Sequence, residues 1–311
     1  MDTKKKKKKI SPYMVFSTIV IILLAIAFAF PLYWILTGSF KTQISINSTT
    51  PEWWPSEWVM TNYEKLFSRQ KSPLWEFAVP FSSRFSADGK DIIWWAGPQV
   101  PAAVRWLINT VFMAVASMIL TCITSAMAGY ALAKKRFTGR VVLFSVFVCA
   151  MALPKQVILI PLLKEMAFLR LHNTLWAVIF PTVGWPFGVF LMKQFSENIP
   201  GEMLEAARID GAGEARTFVN IVFPMIKPGV GALAIFTFIT AWNDYFLQLI
   251  MLNDMDVLTI SLGIAKLQSE LSTDYGLIMA GAALGSVPII LIFLMFQKFF
   301  TRGITMGAVK G

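Results

Sequence analysis

Six separate stretches of this 311-residue chain are each long and apolar enough to cross the roughly 30 Å hydrocarbon core of a bilayer. They run 14–37, 106–133, 141–163, 174–194, 229–252 and 276–300. In hydrocarbon every backbone N–H and C=O must find its partner within the protein, so runs of this length predict helices. Composition removes the soluble alternative. Only 15% of residues are charged and 56% are hydrophobic, whereas a soluble domain carries about 25% charged residues. Pro154 interrupts the third stretch, and Pro181 and Pro186 lie inside the fourth. Prolines at bilayer depth are tolerated where neighbouring helices re-satisfy the freed carbonyls. The predicted fold is therefore all-α, a polytopic membrane helical bundle with about six transmembrane helices.

The net charge of +10 acquires a topological meaning, because cytoplasmic flanks of membrane spans collect Lys and Arg. Lys4 to Lys9 precede the first stretch, which is too long for a signal-peptide core and lacks a convincing cleavage site. It reads as an uncleaved span with the N-terminus inside. Lys134, Lys135, Arg136 and Arg140 then fall inside, as do Lys193, Arg208, Arg216 and Lys227, and the C-terminus with Lys298, Arg302 and Lys310. The outer segment 253–275 holds Lys266 against Asp254, Asp256, Glu270 and Asp274. The expected organisation is a basic cytoplasmic N-terminus (1–13), a first span (14–37), an extracytoplasmic loop (38–105), a five-helix core (106–300) and a cytoplasmic tail (301–311). No soluble domain presents a basic face, so nucleic acid is not expected as a partner; membrane lipid is.

Catalytic chemistry has little to work with. The single His172 excludes a His-based triad or metal cluster within the chain. Cys122 and Cys149 lie in apolar runs and read as small buried hydrophobes. No metal, cofactor or catalytic residue is expected. The outer loop carries Trp53, Trp54, Trp58, Trp75, Trp94 and Trp95, which suit interfacial anchoring and equally a docking surface. Gly281 with Gly285, and Gly184 with Gly188, have GxxxG spacing, which lets backbones approach within this chain or across to a second membrane subunit.

The connection between the fourth and fifth stretches, 198–229, is the informative one. Pro200 suits a first helical position, and Glu202 lies where the helix dipole favours an acid. Met203, Ala206 and Ala207 predict one small apolar face. Asp210-Gly211 breaks the run, since Gly tolerates a left-handed backbone. Phe218, Ile221 and Val222 make a second apolar face, and Pro224 and Pro228 are expected to end that helix before the fifth span. A short helix with a slim Ala face flanked by Glu205 and Asp210 fits a groove in another protein; resting on its own bundle or on lipid headgroups is the plainer alternative.

Glu205-Ala206-Ala207, three residues, Gly211, nine residues, then Ile221-x-Phe223-Pro224 resembles the EAA loop of ABC-importer permeases, which usually have Leu where Phe223 stands. Asp210-Gly211-Ala212 fits the carbohydrate-uptake branch. The resemblance extends over most of the chain and includes Asn62-Tyr63-x-x-Leu66-Phe67, Asn109-Thr110, Gly129-Tyr130-Ala131-Leu132-Ala133, Trp242-Asn243-Asp244 and the tail Arg302-Gly303-Ile304-Thr305-x-Gly307-Ala308-Val309-Lys310-Gly311. Together these are most similar to the maltose-transporter MalG type. The segment 68–104 is longer than the family norm. The resemblance implies a type I ABC importer permease in a bacterial or archaeal cytoplasmic membrane. It implies pairing with a second homologous permease to form the translocation path, with a sugar delivered by an extracytoplasmic solute-binding protein. It further implies that a cytoplasmic ATPase dimer, which binds ATP and Mg, receives the cytoplasmic coupling helix. On this reading Glu205, Ala206, Ala207, Asp210, Gly211, Ile221 and Pro224 belong to the coupling loop, and the tail is a candidate further ATPase contact.

The chain has no G-x-x-x-x-G-K-[ST] motif, so nucleotide phosphates are held elsewhere. Ionisable groups at bilayer depth are costly and usually functional. Lys155 and Gln156 follow Pro154, and Asn243, Asp244 and Gln248 lie in the fifth stretch. Asp244 is either a satisfied tie between helices or part of the transport path. Trp242, Asn243 and Tyr245 have the ring and amide chemistry that binds sugar hydroxyls and faces. A non-sugar solute such as glycerol phosphate is an alternative cargo. A secondary transporter would show six-plus-six repeats and more intramembrane acids, and a membrane enzyme would need a nucleophile–base pair or metal ligands.

Overall fold

The computed structural model describes residues 11–78, 93–270 and 274–308. The Lys4–Lys9 run and the last three residues of the expected tail lie outside the described residues. The chain is a helical bundle with a small extramembrane layer at one end. Helix α1 spans Pro12–Gly38, α4 Ala102–Lys134, and α5 Arg140–Met151 precedes α6 Lys155–Phe168. Helices α7 (Trp176–Val183) and α8 (Pro186–Glu197) follow, then α9 (Gly201–Ile209) and α10 (Glu214–Thr217). A π-helical turn at Phe218–Val222 leads into α11 (Phe223–Asn243), then α12 (Tyr245–Met251), α13 (Ile260–Glu270) and α14 (Tyr275–Ala308).

Among the described residues five helical segments are long and apolar enough to cross a membrane, and a sixth is counted if α5 and α6, which meet at 109°, form one span. The third apolar stretch is thus not a straight span: Ala152-Leu153-Pro154 turns the chain, because Pro154 cannot continue α5 and instead caps α6. The fifth span also departs from expectation. Pro224 and Pro228 do not end a helix; Pro224 sits in the first turn of α11 and Pro228 inside it. The π turn just before inserts one extra residue per turn, and the Phe223 N–H reaches back to the Phe218 carbonyl, which gives the Pro224 ring room.

Helix α4 is central and packs on α7, α8, α11 and α13. Gly129 permits a close approach to the α8 backbone: a Cβ there would lie 2.6 Å from the Met192 backbone. Asn109 on α4 donates to the Asp256 and Leu258 carbonyls at 2.8 and 2.9 Å, Trp106 donates to the Met255 carbonyl at 2.9 Å, and Thr110 accepts from the Ile260 amide. The Asn109-Thr110 pair therefore pins the loop before α13 to the start of α4. Gly281 and Gly285 face Ile264 and Ile260 of α13, so this GxxxG packs within the chain. Gly188 meets Ser125 of α4, whereas nothing lies within 4 Å of a Cβ at Gly184, which marks a helix end rather than a contact.

The bundle itself is all-α, as expected, and the strands among the described residues lie in the loop after α1. Residues 38–105 hold α2 (Gln43–Ile46), α3 (Thr61–Ser68) and four short strands: β1 (Lys71–Pro73), β2 (Glu76–Ala78), β3 (Ile93–Ala96) and β4 (Gln99–Pro101). They pair antiparallel as β1–β4 and β2–β3. Asn62 of α3 is buried and donates to the Ser39 and Lys41 carbonyls just past α1. Trp53 packs edge-on to Trp34 and tilted to Phe30 of α1, and Tyr33 donates to the Trp53 carbonyl. Trp53 thus ties the loop to the end of α1, while Trp75 and Trp95 pack on each other. Along the rest of α1 the residues are exposed, as are all the large apolar side chains of α5 that face outward. Cys122 is buried, but Cys149 on peripheral α5 is exposed, which corrects the expectation for that residue.

Candidate functional site

Two regions concentrate the residues singled out from sequence. The first is the loop around α9. Pro200 stands one residue outside the helix, as its N-cap in extended conformation, and Glu202 and Arg208 occupy the first and last turns, each complementing the dipole. Asp210 closes α9, and Gly211 takes φ +73°. The Ala212 amide bonds the Ala207 carbonyl at 2.9 Å and the Gly211 amide bonds the Arg208 carbonyl at 3.0 Å. That pair of bonds is a Schellman motif, which needs a left-handed residue where Gly211 stands.

The apolar faces of α9 differ from the expected one. Ala207 is buried, and Leu204 packs on a cluster that includes Tyr130, Met192, Ile199, Val222 and Ile226. Ala206 lies about 100° round the helix from Ala207 and cannot share its direction. Ala206 and Glu205 are exposed, with Met203 at 43% and Ile209 at 86%. The inner face is thus Leu204 and Ala207, and the outer face is Met203, Glu205, Ala206 and Ile209. Ile209 was missed from sequence, although its i+4 spacing from Glu205 places both on one side. Ile221 is half-buried in the π turn, and Val222 beneath it is buried.

The second region is a cavity of about 360 Å³ within the bundle. Three interruptions converge on it: the α5–α6 turn, the Gly184-Trp185 gap between α7 and α8, and Asp244 between α11 and α12. Lys155, at the start of α6, reaches both of the others. Its ammonium lies 3.5 Å from Asp244 Oδ2 and 5.6 Å from the centre of the Trp185 ring. Gln156, Thr240 and Phe246 also line the space, with apolar side chains around them.

The break at Asp244 is held open by side chains. Asn243 Nδ2 donates to the Ile239 carbonyl at 2.9 Å, and Gln248 Nε2 donates to the Ala241 carbonyl at 3.0 Å. Thr259 Oγ1 donates to Gln248 Oε1 at 2.5 Å, completing a buried chain. Asp244 Oδ1 accepts from the Leu247 amide and caps α12. The Gln248 bond takes up the Ala241 carbonyl and the Asp244 bond the Leu247 amide, groups that the interruption leaves without helical partners.

Of the four residues expected along a transport path, Asp244 lines the cavity. Trp242 does not: it is 3% exposed and packs on Phe238 in the core. Tyr245 packs partly buried against the same core, and Asn243 serves its own helix end. Trp185, Thr240 and Phe246 were not anticipated, because their nearness depends on the packing of three broken helices. Among the described residues no group of three His, Cys, Asp or Glu could hold a metal ion.

A family model described as a binding-protein-dependent transport system inner membrane component matches residues 123–306. The arabinooligosaccharides transport system permease protein AraQ of Halalkalibacterium halodurans is 35% identical over 206 residues, covering 66% of this chain and 74% of that protein. The diacetylchitobiose uptake system permease protein NgcG of Streptomyces coelicolor is 27% identical over 294 residues, covering 93% of this chain and 87% of that protein. The fold is similar to a chain in the crystal structure of a bacterial ABC transporter involved in the import of the acidic polysaccharide alginate. The TM-score is 0.74 at 18% identity, covering 96% of this chain and 100% of that one.

Proposed function

The chain belongs to the family of binding-protein-dependent transport system inner membrane components, and on that premise we propose that it forms half of a translocation path for a neutral sugar or oligosaccharide. It is a multi-pass membrane protein and an ABC-importer permease. A second homologous permease supplies the other half of the path, and an extracytoplasmic binding protein delivers the sugar. The ATPase dimer binds ATP and Mg and receives α9, so hydrolysis occurs outside this chain. Both termini face the cytoplasm, which places Lys134, Lys135, Arg136 and Arg140 on the same side as α9, in keeping with the positive-inside bias.

The observation that carries the coupling role is the two-sidedness of α9. Leu204 and Ala207 seat it on the bundle, while Glu205, Ala206 and Ile209 stand clear of the chain. A helix seated on one side with an isoleucine exposed on the other offers an anchor to a groove. The cavity supports the cargo class. Trp185 offers an aromatic face, and Lys155, Asp244, Gln156 and Thr240 offer donors and acceptors for hydroxyls. A phosphorylated solute such as glycerol phosphate would meet Asp244 as well as Lys155, so the paired charges favour an uncharged polyol. The names of AraQ and NgcG, an arabinooligosaccharide and a diacetylchitobiose permease, point the same way.

The test is ATPase activity of the reconstituted complex, with partner permease, ATPase and binding protein, across mono- and oligosaccharides and glycerol phosphate. Stimulation by one glycan is expected and names the cargo. A complex that hydrolyses ATP but responds to no sugar removes carbohydrate from the reading.

A further inference from the structure

The last turns of α4 grip the coupling loop on both sides of α9. Lys134 Nζ donates to the Glu197 carbonyl at 3.1 Å and to the Ile199 carbonyl at 2.6 Å. These carbonyls lie at the end of α8, where helical partners run out and a cation is favoured. The adjacent Lys135 pairs with Glu214 at the start of α10 and lies 5.2 Å from the centre of the Tyr130 ring. Tyr130 in turn packs on Phe218 at 5.7 Å. Successive residues at the end of a helix point about 100° apart, so one lysine serves each end of the loop. Arg208, on the last turn of α9, reaches the same Glu214 at 3.9 Å.

The Lys135–Glu214 pair is too exposed to hold the fold together: the glutamate side chain is 63% exposed. Its consequence is geometric. Residues 200–213 leave and return to the bundle between two fixed points on one helix, and α4 carries contacts to α7, α8 and α11. Burial is the largest influence on Lys135 and works against its charge, but the hydrogen bonds and charges of Glu214 and Tyr130 together outweigh it, so its pKa lies above the ordinary lysine value. It is therefore an ammonium at any working pH.

We propose that Lys134 and Lys135 are positioning residues that tie the coupling segment to α4, so that a displacement of α9 reaches the helices around the cavity instead of being absorbed in the loop. This rests on the coupling role proposed above for α9. Neither lysine belongs to α9 or lines the cavity, so both act through other residues.

The experiment uses the full complex in proteoliposomes with its binding protein and stimulating sugar, and reads sugar moved per ATP hydrolysed. Lys135→Glu is expected to lower this ratio about fivefold or more while binding-protein-stimulated hydrolysis persists. Lys134→Ala is expected to lower it as well. Lys135→Arg should keep the ratio, and the reversed pair Lys135→Glu with Glu214→Lys should restore it. A merely structural role would lower assembly and both activities together, leaving the ratio unmoved. If Lys135→Glu fails to assemble, recovery of assembly and ratio by the reversed pair supports the tie, and no recovery overturns it. Unchanged ratios in Lys135→Glu and Lys134→Ala overturn it while leaving the function proposed above intact. A wild-type complex that moves no solute removes that function, and this inference with it.

Discussion

The Lys155 ammonium lies 3.5 Å from the Asp244 carboxylate, joining the turn that opens α6 to the gap between α11 and α12. The two residues are far apart in sequence, and each stands at an interruption that the other helix does not share. The lysine side chain is 54% exposed and the aspartate 20%, so the pair contributes on the order of 1 kcal/mol or less to stability. On the function proposed above, its effect falls on transport. Lys155→Ala and Asp244→Asn, which keeps the oxygen that caps α12, are each expected to lower uptake about tenfold, equivalent to ~1.4 kcal/mol on the transport step. Thermal stability of the purified complex should stay close to wild type. Uptake at wild-type rates in both variants would remove the pair from the path.

Gly211 makes a second prediction with a clean physical origin. Nothing lies within 4 Å of a Cβ built there, so a side chain meets no steric contact and only the backbone resists. At φ +73° a β-branched residue costs about 1–2 kcal/mol. Gly211→Val should undo the Schellman closure and turn α9 out of register. Less ATPase should co-purify with the permease pair, and uptake should fall. Gly211→Asn, which tolerates this region better, should lose less. Equal co-purification of the ATPase by wild type and Gly211→Val would count against the turn.

These two predictions show what the chain made legible and what it hid. Transmembrane helices follow from local composition, since a long apolar run has one stable form in a bilayer. Pro154 and Pro186 announce two of the three interruptions by the same local logic. Asp244 carries no such mark. Its break is matched by Gln248, which takes up the Ala241 carbonyl and is itself held by Thr259 from a later loop. The cavity depends on three such breaks meeting, which periodicity cannot express. On α9 the Met203-Ala206-Ala207 grouping mixed two faces, because an alanine reads as apolar whichever way it points. Pro224 and Pro228 misled in the opposite sense, for the π turn that accommodates Pro224 leaves no signature of its own.

At the α4–α8 contact a glycine faces backbone, which makes it a direct place to test packing. A Cβ at Gly129 would sit 2.6 Å from the Met192 and Lys193 backbone, which cannot step aside as a side chain can. Gly129→Leu is expected to cost about 1–3 kcal/mol, with loss of assembled complex and a lower melting temperature. Gly184→Ala is the matched control, since its Cβ would meet open space. A thermal melt in detergent separates them. If the two variants melt alike, α4 and α8 are not in the contact described.

The outer face of α9 carries the remaining prediction. Glu205 is exposed and Ile209 is 86% exposed, so neither substitution disturbs the bundle from within. Glu205→Lys reverses a charge on the surface proposed to meet the ATPase, and a charge reversal at an interface disrupts its electrostatic match. It should leave the two permeases assembled while uptake falls. Ile209→Ala removes an apolar anchor and should weaken ATPase binding by about 1–2 kcal/mol, or roughly five- to thirtyfold. Leu204→Ala acts on the opposite face and differs in kind: it unseats α9 from the Tyr130–Ile226 cluster and should raise hydrogen exchange across 201–211. Binding of the purified ATPase to the reconstituted permease pair, measured beside that exchange, distinguishes the two faces. Ile209→Ala binding as well as wild type would leave the exposed isoleucine without a partner and would move the docking surface elsewhere on the loop.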